Sequence, residues 1–216
     1  KGIPKNIGND AKNATSFTLD EDFAKQLIHG YYACVSYTDA QIGKVLHTLD
    51  QLGLSDNTIV IFTSDHGFSL MEHNRWSKHN LFNVENRVSL MIRVPGLTRK
   101  AQSQSYVELI DLYPTIAELV GLKTPESVEG TSLVENLKDP NLITKKVGYS
   151  RIWNGDMVVT PNYLYAEWRR SEQGNVYDNM LYDLKADSLE MNNIADQPKY
   201  RKLVDSLSHQ INLKSV

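Results

Sequence analysis

The amino-acid sequence predicts an α/β protein whose carboxyl-terminal part is a small antiparallel sheet covered by one helix. Three observations support this class: a long apolar stripe at helical spacing, two short apolar runs in the middle, and alternating aromatic-rich segments after about residue 140. A chain of 216 residues can bury a full core. We therefore expect an α/β part over residues 1–140 and a sheet-and-helix part over residues 141–216.

The first predicted element is a helix of about thirty residues. Apolar side chains recur at spacings of three and four from Phe23 to Leu52, so they share one face. Thr18 and Glu21 have the spacing of a capping box at its start. Cys34, the only cysteine, lies on the stripe and is expected in the core. A single cysteine excludes an internal disulfide and a cysteine-based zinc site.

Two apolar runs predict strands. Thr58–Thr63 is typical of a strand covered on both faces, and the helix before it indicates a parallel sheet. Val88–Val94 predicts a second strand, which the following proline and glycine end. A short helix should then begin at Asp111. Its Ile116, Leu119 and Val120 would point inward.

Past residue 140, four short segments predict antiparallel strands because turn-forming Asn, Gly and Asp residues separate them. These segments are Tyr149–Trp153, Met157–Thr160, Tyr163–Arg169 and Met180–Leu184. Asp196 and Pro198 then open a last helix. Its Leu203, Leu207 and Ile211 share one face, which would cover the sheet.

A polar segment follows the first predicted strand directly. Asp65 and His66 stand side by side where this strand ends, and ligands of open α/β sheets collect at the carboxyl ends of strands. The pair suggests a metal site, although Asp-His-Gly is also the composition of a plain turn. The next stretch, residues 72–79, adds histidines, an arginine and a lysine. These suit an anionic substrate or a solvated loop.

Charge and hydropathy exclude two kinds of partner. The net charge is −3 and the pI is near 6.1, so no global basic field exists for nucleic acid. The longest apolar runs are far shorter than a bilayer span. We therefore expect neither nucleic-acid binding nor membrane insertion.

Several motifs occur in a fixed order along nearly the whole chain. They are Gly30–Ala33 with Asp39 and Gly43, Phe62–Gly67, Glu72–His73 with Trp76 and Lys78, Val94–Gly96, Asp111–Thr115 and Leu181–Leu184. In order and spacing the sequence resembles the sulfatases of the alkaline-phosphatase superfamily, most closely their iduronate-2-sulfatase-like branch. The resemblance implies the carboxyl-terminal part of an alkaline-phosphatase-like fold and an exported protein, in periplasm, extracellular space or lysosome rather than cytoplasm. Asn13 begins a glycosylation sequon.

The resemblance also implies roles for single residues. Asp65 and His66 would be two ligands of one divalent cation, usually calcium in this family, and Lys78 would be a catalytic residue that contacts the sulfate group. Such a cation polarises the ester, and an ammonium offsets charge on the transferred group. Imidazole is less typical of calcium, so chemistry alone would also admit zinc or manganese. His73 and His79 would bind substrate or be solvated, and Arg75 would line the pocket or be solvated.

Some parts of the family pattern are missing. Sulfatases of this kind use a formylglycine made inside a Cys/Ser-x-Pro/Ala-x-Arg motif, with a pair of metal-binding aspartates before it. Cys34 is followed by Val-Ser-Tyr-Thr, so the formylglycine is expected upstream, outside this chain. Met71 and Asn74 stand where the family commonly has glycine, and Ser89 where it favours proline.

The resemblance therefore predicts the carboxyl-terminal portion of a sulfatase that acts on a sulfated sugar or glycosaminoglycan and is inactive alone. Two alternatives stay open. One is a metal-dependent phosphodiesterase or phosphonate hydrolase of the same superfamily, and the other is a non-catalytic module.

Overall fold

The computed structural model describes residues 20–170 and 174–214, which form two compact units. The first unit holds the described residues up to His79 together with Val88–Thr98. The second holds Asn80–Arg87 and the described residues from Arg99 onward. The predicted boundary near residue 140 falls inside the second unit and stays a prediction. No helix among the described residues is long and apolar enough to cross a membrane.

The long helix is confirmed as α1, Glu21–Gln51. Asp20 caps it, because its Oδ1 accepts a hydrogen bond from the backbone N–H of Phe23 at 3.1 Å. The predicted capping residue Thr18 and the sequon at Asn13 lie outside the described residues. Capping by Asp20 fits the two acidic residues in the first turn, which favour the helix dipole.

Cys34 is exposed, so its predicted place in the core is wrong. Near the amino-terminal end of α1, Ala24 is buried against Trp76, and along the rest of the apolar stripe the coverage is uneven, with Ile42 and Leu49 half-buried. Further along, Val35 is 52% and Val45 is 69% exposed. Periodicity identifies which side chains share a helix face, whereas burial depends on what lies opposite each turn.

The described residues of the first unit contain four short strands. They are β1 (Val60–Thr63), β2 (Ser69–Leu70), β3 (Trp76–Ser77) and β4 (Leu90–Arg93). β1 pairs with β4 and β2 pairs with β3, both antiparallel. The expected parallel arrangement is therefore wrong for the β1–β4 pair. A parallel return needs a crossover that carries the chain back along the strand, and residues 64–89 form loops, the β2–β3 hairpin and helices of only three or four residues.

The four-stranded sheet of the second unit is confirmed. Its strands are β5 (Gly148–Ile152), β6 (Gly155–Val159), β7 (Tyr163–Arg169) and β8 (Val176–Asp183), paired antiparallel in that order. The predicted last helix is also confirmed as Arg201–Lys214, with Leu207 and Ile211 buried against one sheet face. Leu81 and Phe82 pack against the other face. Both faces are covered, so the sheet has a core on each side.

Three shorter helices complete the described fold, and the last helix is α5. They are α2 (Asn83–Asn86), α3 (Leu112–Leu119) and α4 (Val134–Lys138). In α3 two of the three predicted inward residues are wrong, because Ile116 is 43% and Val120 is 53% exposed, whereas Leu119 is half-buried. The buried face carries Thr115, whose Oγ1 donates to the carbonyl of Asp111 and accepts from the N–H of Leu133. Hydrogen bonds thus orient this helix more than its apolar pattern does.

The segment Asn80–Arg87, which contains α2, is fixed inside the second unit by polar contacts as well as by apolar burial. The carboxylate of Glu190 accepts from the N–H of Asn83 at 3.0 Å, and the hydroxyl of Ser150 donates to Asn86 Oδ1 at 2.6 Å. This segment begins directly after Lys78 and His79.

Candidate metal and anion site

Asp65 and His66 occupy a tight turn after β1. The Asp65 Oδ1 accepts from the N–H of His66 at 2.9 Å, and the hydroxyl of Ser64 donates to the carbonyl of His66 at 2.7 Å. Short polar side chains that bond to nearby backbone favour such turns. The turn projects a carboxylate and an imidazole from the end of the strand.

The ring of His66 has a defined proton arrangement. Its Nδ1 lies 2.7 Å from the carbonyl oxygen of Gly67, which can only accept, so Nδ1 carries the hydrogen. Nε2 therefore has a lone pair, and it lies 2.7 Å from Nζ of Lys78. The ammonium of Lys78 is the donor in this contact. The same Nε2 lies 3.5 Å from Oδ2 of Asp65.

These side chains are of the kinds that ligate a divalent cation, but the one lone pair of Nε2 faces Lys78 in this structure, so a bound cation would replace the Lys78 contact. A metal-binding histidine commonly donates its other ring N–H to a backbone carbonyl, as His66 does to Gly67. The 3.5 Å between Nε2 of His66 and Oδ2 of Asp65 is close to the ~3.4 Å between two ligands at right angles around a calcium ion with bonds of ~2.4 Å. Within the described part of the chain, no group of three or more His, Cys, Asp or Glu side chains could hold a metal.

Lys78 lies in a loop with an unusual backbone. Five residues between positions 71 and 79 that are not glycine have positive φ angles: Met71, His73, Asn74, Ser77 and His79. Asn and His tolerate this region comparatively well, whereas Met71 at 92° and Ser77 at 102° are strained. The glycines that the family commonly has at positions 71 and 74 suit this conformation. The loop therefore holds Lys78 between two left-handed residues.

The other predicted site residues differ in exposure. His79 is exposed and His73 is half-buried, and their contact with substrate stays a prediction. Arg75 is only 7% exposed, so a solvated role for it is wrong. Glu72 was not among our candidates, yet its carboxylate accepts from the N–H of Leu70 and closes the loop. The Glu72–His73 motif was the sequence signal that could have identified this residue.

Two family models match this chain. The model described as Sulfatase matches residues 6–122, and the model described as N-sulphoglucosamine sulphohydrolase, C-terminal, matches residues 71–216.

Curated relatives match over most of this chain but over part of their own length. Arylsulfatase K of Bos taurus is 32% identical over 213 residues, which are 93% of this chain and 38% of the relative. Iduronate 2-sulfatase of Mus musculus is 29% identical over 261 residues, covering 88% of this chain and 47% of the relative. This chain thus spans less than half the length of these two relatives.

Solved structures share the fold. A protein described as a sulfatase from Bacteroides fragilis gives a TM-score of 0.81 at 25% identity, covering 96% of this chain and 47% of its own. A protein solved with its substrate D-glucosamine-2-N,6-O-disulfate gives a TM-score of 0.81 at 26% identity, and the match covers 88% of this chain and 40% of its own. Phosphonate monoester hydrolase of Agrobacterium radiobacter, with a TM-score of 0.75 at 21% identity over 86% of this chain and 41% of its own, shares the fold alone. These similarities confirm the predicted fold class.

Proposed function

The chain belongs to the sulfatase family, and from this premise we propose that it is the carboxyl-terminal portion of an enzyme that hydrolyses sulfate esters. We propose a sulfated sugar or glycosaminoglycan as the substrate class, in the manner of the iduronate-2-sulfatase-like branch. The support is that the matched relatives are sulfatases and that one structural neighbour was solved with a sulfated glucosamine.

The pairing of Lys78 with His66 carries this proposal. Nζ of Lys78 lies 2.7 Å from Nε2 of His66, although twelve positions separate the two residues in the sequence. The same Nε2 lies 3.5 Å from Asp65. A cationic donor therefore adjoins a pair of cation ligands. This arrangement suits an anionic group that is held by a metal on one side and an ammonium on the other.

We assign Asp65 and His66 as ligands of one divalent cation, with calcium as the expected ion. When bound there, such a cation would polarise the sulfate ester and help to activate a nucleophile. Asp65 supplies an anionic oxygen, and His66 supplies Nε2 in the orientation that its Nδ1–H bond fixes. With the cation on Nε2, Lys78 is released from His66, donates to the sulfate oxygens and offsets their charge, and His73 and His79 line the substrate.

The nucleophile in this proposal, a formylglycine, belongs to an upstream portion of the protein outside this chain, together with further metal ligands. The 216-residue chain alone should therefore show no hydrolysis of an aryl sulfate such as p-nitrophenyl sulfate. Metal-dependent turnover by the purified chain would contradict this division of the site.

The role of Lys78 is tested in the whole enzyme. Lys78→Ala should lower kcat by about a hundredfold, or ~3 kcal/mol, because it removes a charge-assisted contact that strengthens in the transition state. The melting temperature should not change. Lys44→Ala, at an exposed position of α1, is the matched control and should leave kcat unaltered. Near-normal activity of Lys78→Ala with an unchanged melting temperature would refute the assignment.

The same enzyme preparation separates the two hydrolase classes. We expect p-nitrophenyl sulfate to be turned over with a higher kcat/KM than a p-nitrophenyl phosphonate monoester. A reversed preference would reassign the protein to the phosphonate hydrolases, with which it shares the fold.

A further inference from the structure

The tip of the β5–β6 hairpin carries an exposed tryptophan in an unfavourable backbone conformation. Ile152 pairs with Gly155, so Trp153 and Asn154 form a two-residue loop. Trp153 has a φ of 49° and is 62% exposed. Gly or Asn adopts this first loop position readily, whereas a bulky aromatic residue does so at a cost in stability. Strain of this kind in an exposed side chain points to a function.

A second exposed aromatic residue lies close by, at an irregularity of the sheet. Trp168 pairs with Asp178 and Arg169 pairs with Val176, which leaves Tyr177 as the extra residue of a β-bulge. Tyr177 is 43% exposed. Bulges change the direction in which a strand side chain points. The bulge therefore presents the Tyr177 ring at this end of the sheet.

Asn154 ties these two features together. Its Nδ2 donates to the hydroxyl of Tyr177 at 2.9 Å and to the carbonyl of Arg169 at 2.9 Å. The backbone carbonyl of Asn154 accepts from the N–H of Arg169 at 2.9 Å. The hairpin tip and the bulge are thus held in one fixed arrangement.

The hairpin tip is also supported from within the sheet. A Cβ atom on Gly155 would lie 2.5 Å from Nε1 of Trp168, so the indole of Trp168 rests directly on the Gly155 backbone. Two of the three tryptophans of the chain are therefore at this hairpin. This packing limits motion of the loop that carries Trp153.

We propose that Trp153, Asn154 and Tyr177 form a carbohydrate-binding surface that stacks against a pyranose ring of a glycan. Exposed aromatic rings offer flat apolar faces to the C–H groups of a sugar, and the amide oxygen of Asn154 and the hydroxyl of Tyr177 offer hydrogen bonds to its hydroxyls. The three side chains are uncharged, which suits a sugar ring more than a sulfate group. Two exposed rings are far too small for a stable protein interface and match one or two sugar units.

This surface rests on the proposed function only for its choice of glycan class. It belongs wholly to the second unit, whereas the residues proposed to bind metal and sulfate belong to the first. Binding of a sugar ring here needs no sulfate, no metal and no turnover.

The test is titration calorimetry of the 216-residue chain with hyaluronan hexasaccharide, a glycosaminoglycan fragment without sulfate. We expect binding that Trp153→Gly weakens by at least about tenfold, the usual scale for loss of an aromatic anchor. Asn154→Ala should also weaken binding, because it releases Tyr177. Tyr37→Ala, which removes another exposed aromatic residue, should have no effect. Absence of binding, or equal binding by Trp153→Gly, overturns the proposal.

Melting curves of the same variants supply an independent readout. Glycine relieves the left-handed strain, so Trp153→Gly should melt at the same temperature as the parent chain or higher. A clear loss of melting temperature would show that Trp153 is a structural residue and would overturn the proposal. The hexasaccharide carries no sulfate ester, so its binding is measured independently of turnover. If the whole enzyme showed no sulfatase turnover, the proposed function would therefore be disproved, whereas the proposed carbohydrate-binding surface would not be affected.

Discussion

Replacement of Glu190 by glutamine should change how the stability of the protein depends on pH. Glu190 is 3% exposed, and its burial raises the pKa of the carboxyl group from 4.5 to about 7. The N–H of Asn83 opposes this rise, and the negative charge of Asp187 adds to it. The carboxyl group is therefore largely protonated in the folded state at pH values where the unfolded chain has already lost that proton.

The sign of the effect follows from proton counts. Between pH 4.5 and about 7 the folded state holds one more proton at Glu190 than the unfolded state. The free energy of unfolding must then fall as pH rises through this window. Each unit of pKa difference corresponds to ~1.4 kcal/mol, so the total loss is on the order of 3 kcal/mol once the pH exceeds the folded pKa.

The assay is urea denaturation of the parent chain and of Glu190→Gln at pH 5.0 and pH 8.0. Glutamine keeps an oxygen acceptor for the N–H of Asn83 and never ionises. The two proteins should be similar in stability at pH 5.0, and the variant should be the more stable at pH 8.0. Glu135→Gln, at an exposed ion pair of α4, should show no such divergence. A stability difference between parent and Glu190→Gln that is the same at both pH values would refute the reasoning.

Three further predictions concern single side chains, each read from thermal or urea unfolding. Ser77→Gly should stabilise the protein by about 1 kcal/mol because it relieves a φ of 102° and removes no apolar side chain, and a loss of stability would contradict the strain. Gly155→Ala should lower the stability by ~1–3 kcal/mol because its Cβ would overlap the indole of Trp168. Gly30→Ala, inside α1 with open space around it, should raise the stability by ~1 kcal/mol. Equal effects of the two substitutions would contradict both expectations. Lys145→Met should cost ~3–5 kcal/mol because it leaves the carboxylates of Asp111, which is buried, and Glu108, which is largely buried, without their cation. Lys138→Met, at an exposed ion pair, should change the stability little. A small effect at Lys145 would show that these carboxylates have other compensation.

Local pattern was sufficient for the regular elements of the second unit. Strands β5 to β8 were predicted within a few residues because alternation and turn residues act over neighbouring positions. The antiparallel direction of β1 and β4 was not predicted, since it depends on how the 26 residues between the two strands return the chain. The faces of α1 and α3 were misjudged at Cys34 and Ile116 because burial depends on distant partners.

The candidate site shows the same limit. The turn at Asp65 and His66 could be predicted because it follows a strong strand signal. The 2.7 Å contact between His66 and Lys78 could not, because it joins residues twelve positions apart through a loop of left-handed residues. Glycine is the usual residue at positive φ angles, so a sequence with methionine at position 71 and serine at position 77 gives no signal for this loop conformation.

Residues 80–87 belong to the second unit, whereas the residues directly before and after them belong to the first, and this limits where the chain can be cut into two parts. A chain cut after His79 leaves β1 without its partner β4, and a chain that starts at Arg99 leaves the sheet core without Leu81 and Phe82. No single cut separates the two units intact. Limited proteolysis at a single site should therefore yield no stable half of the chain.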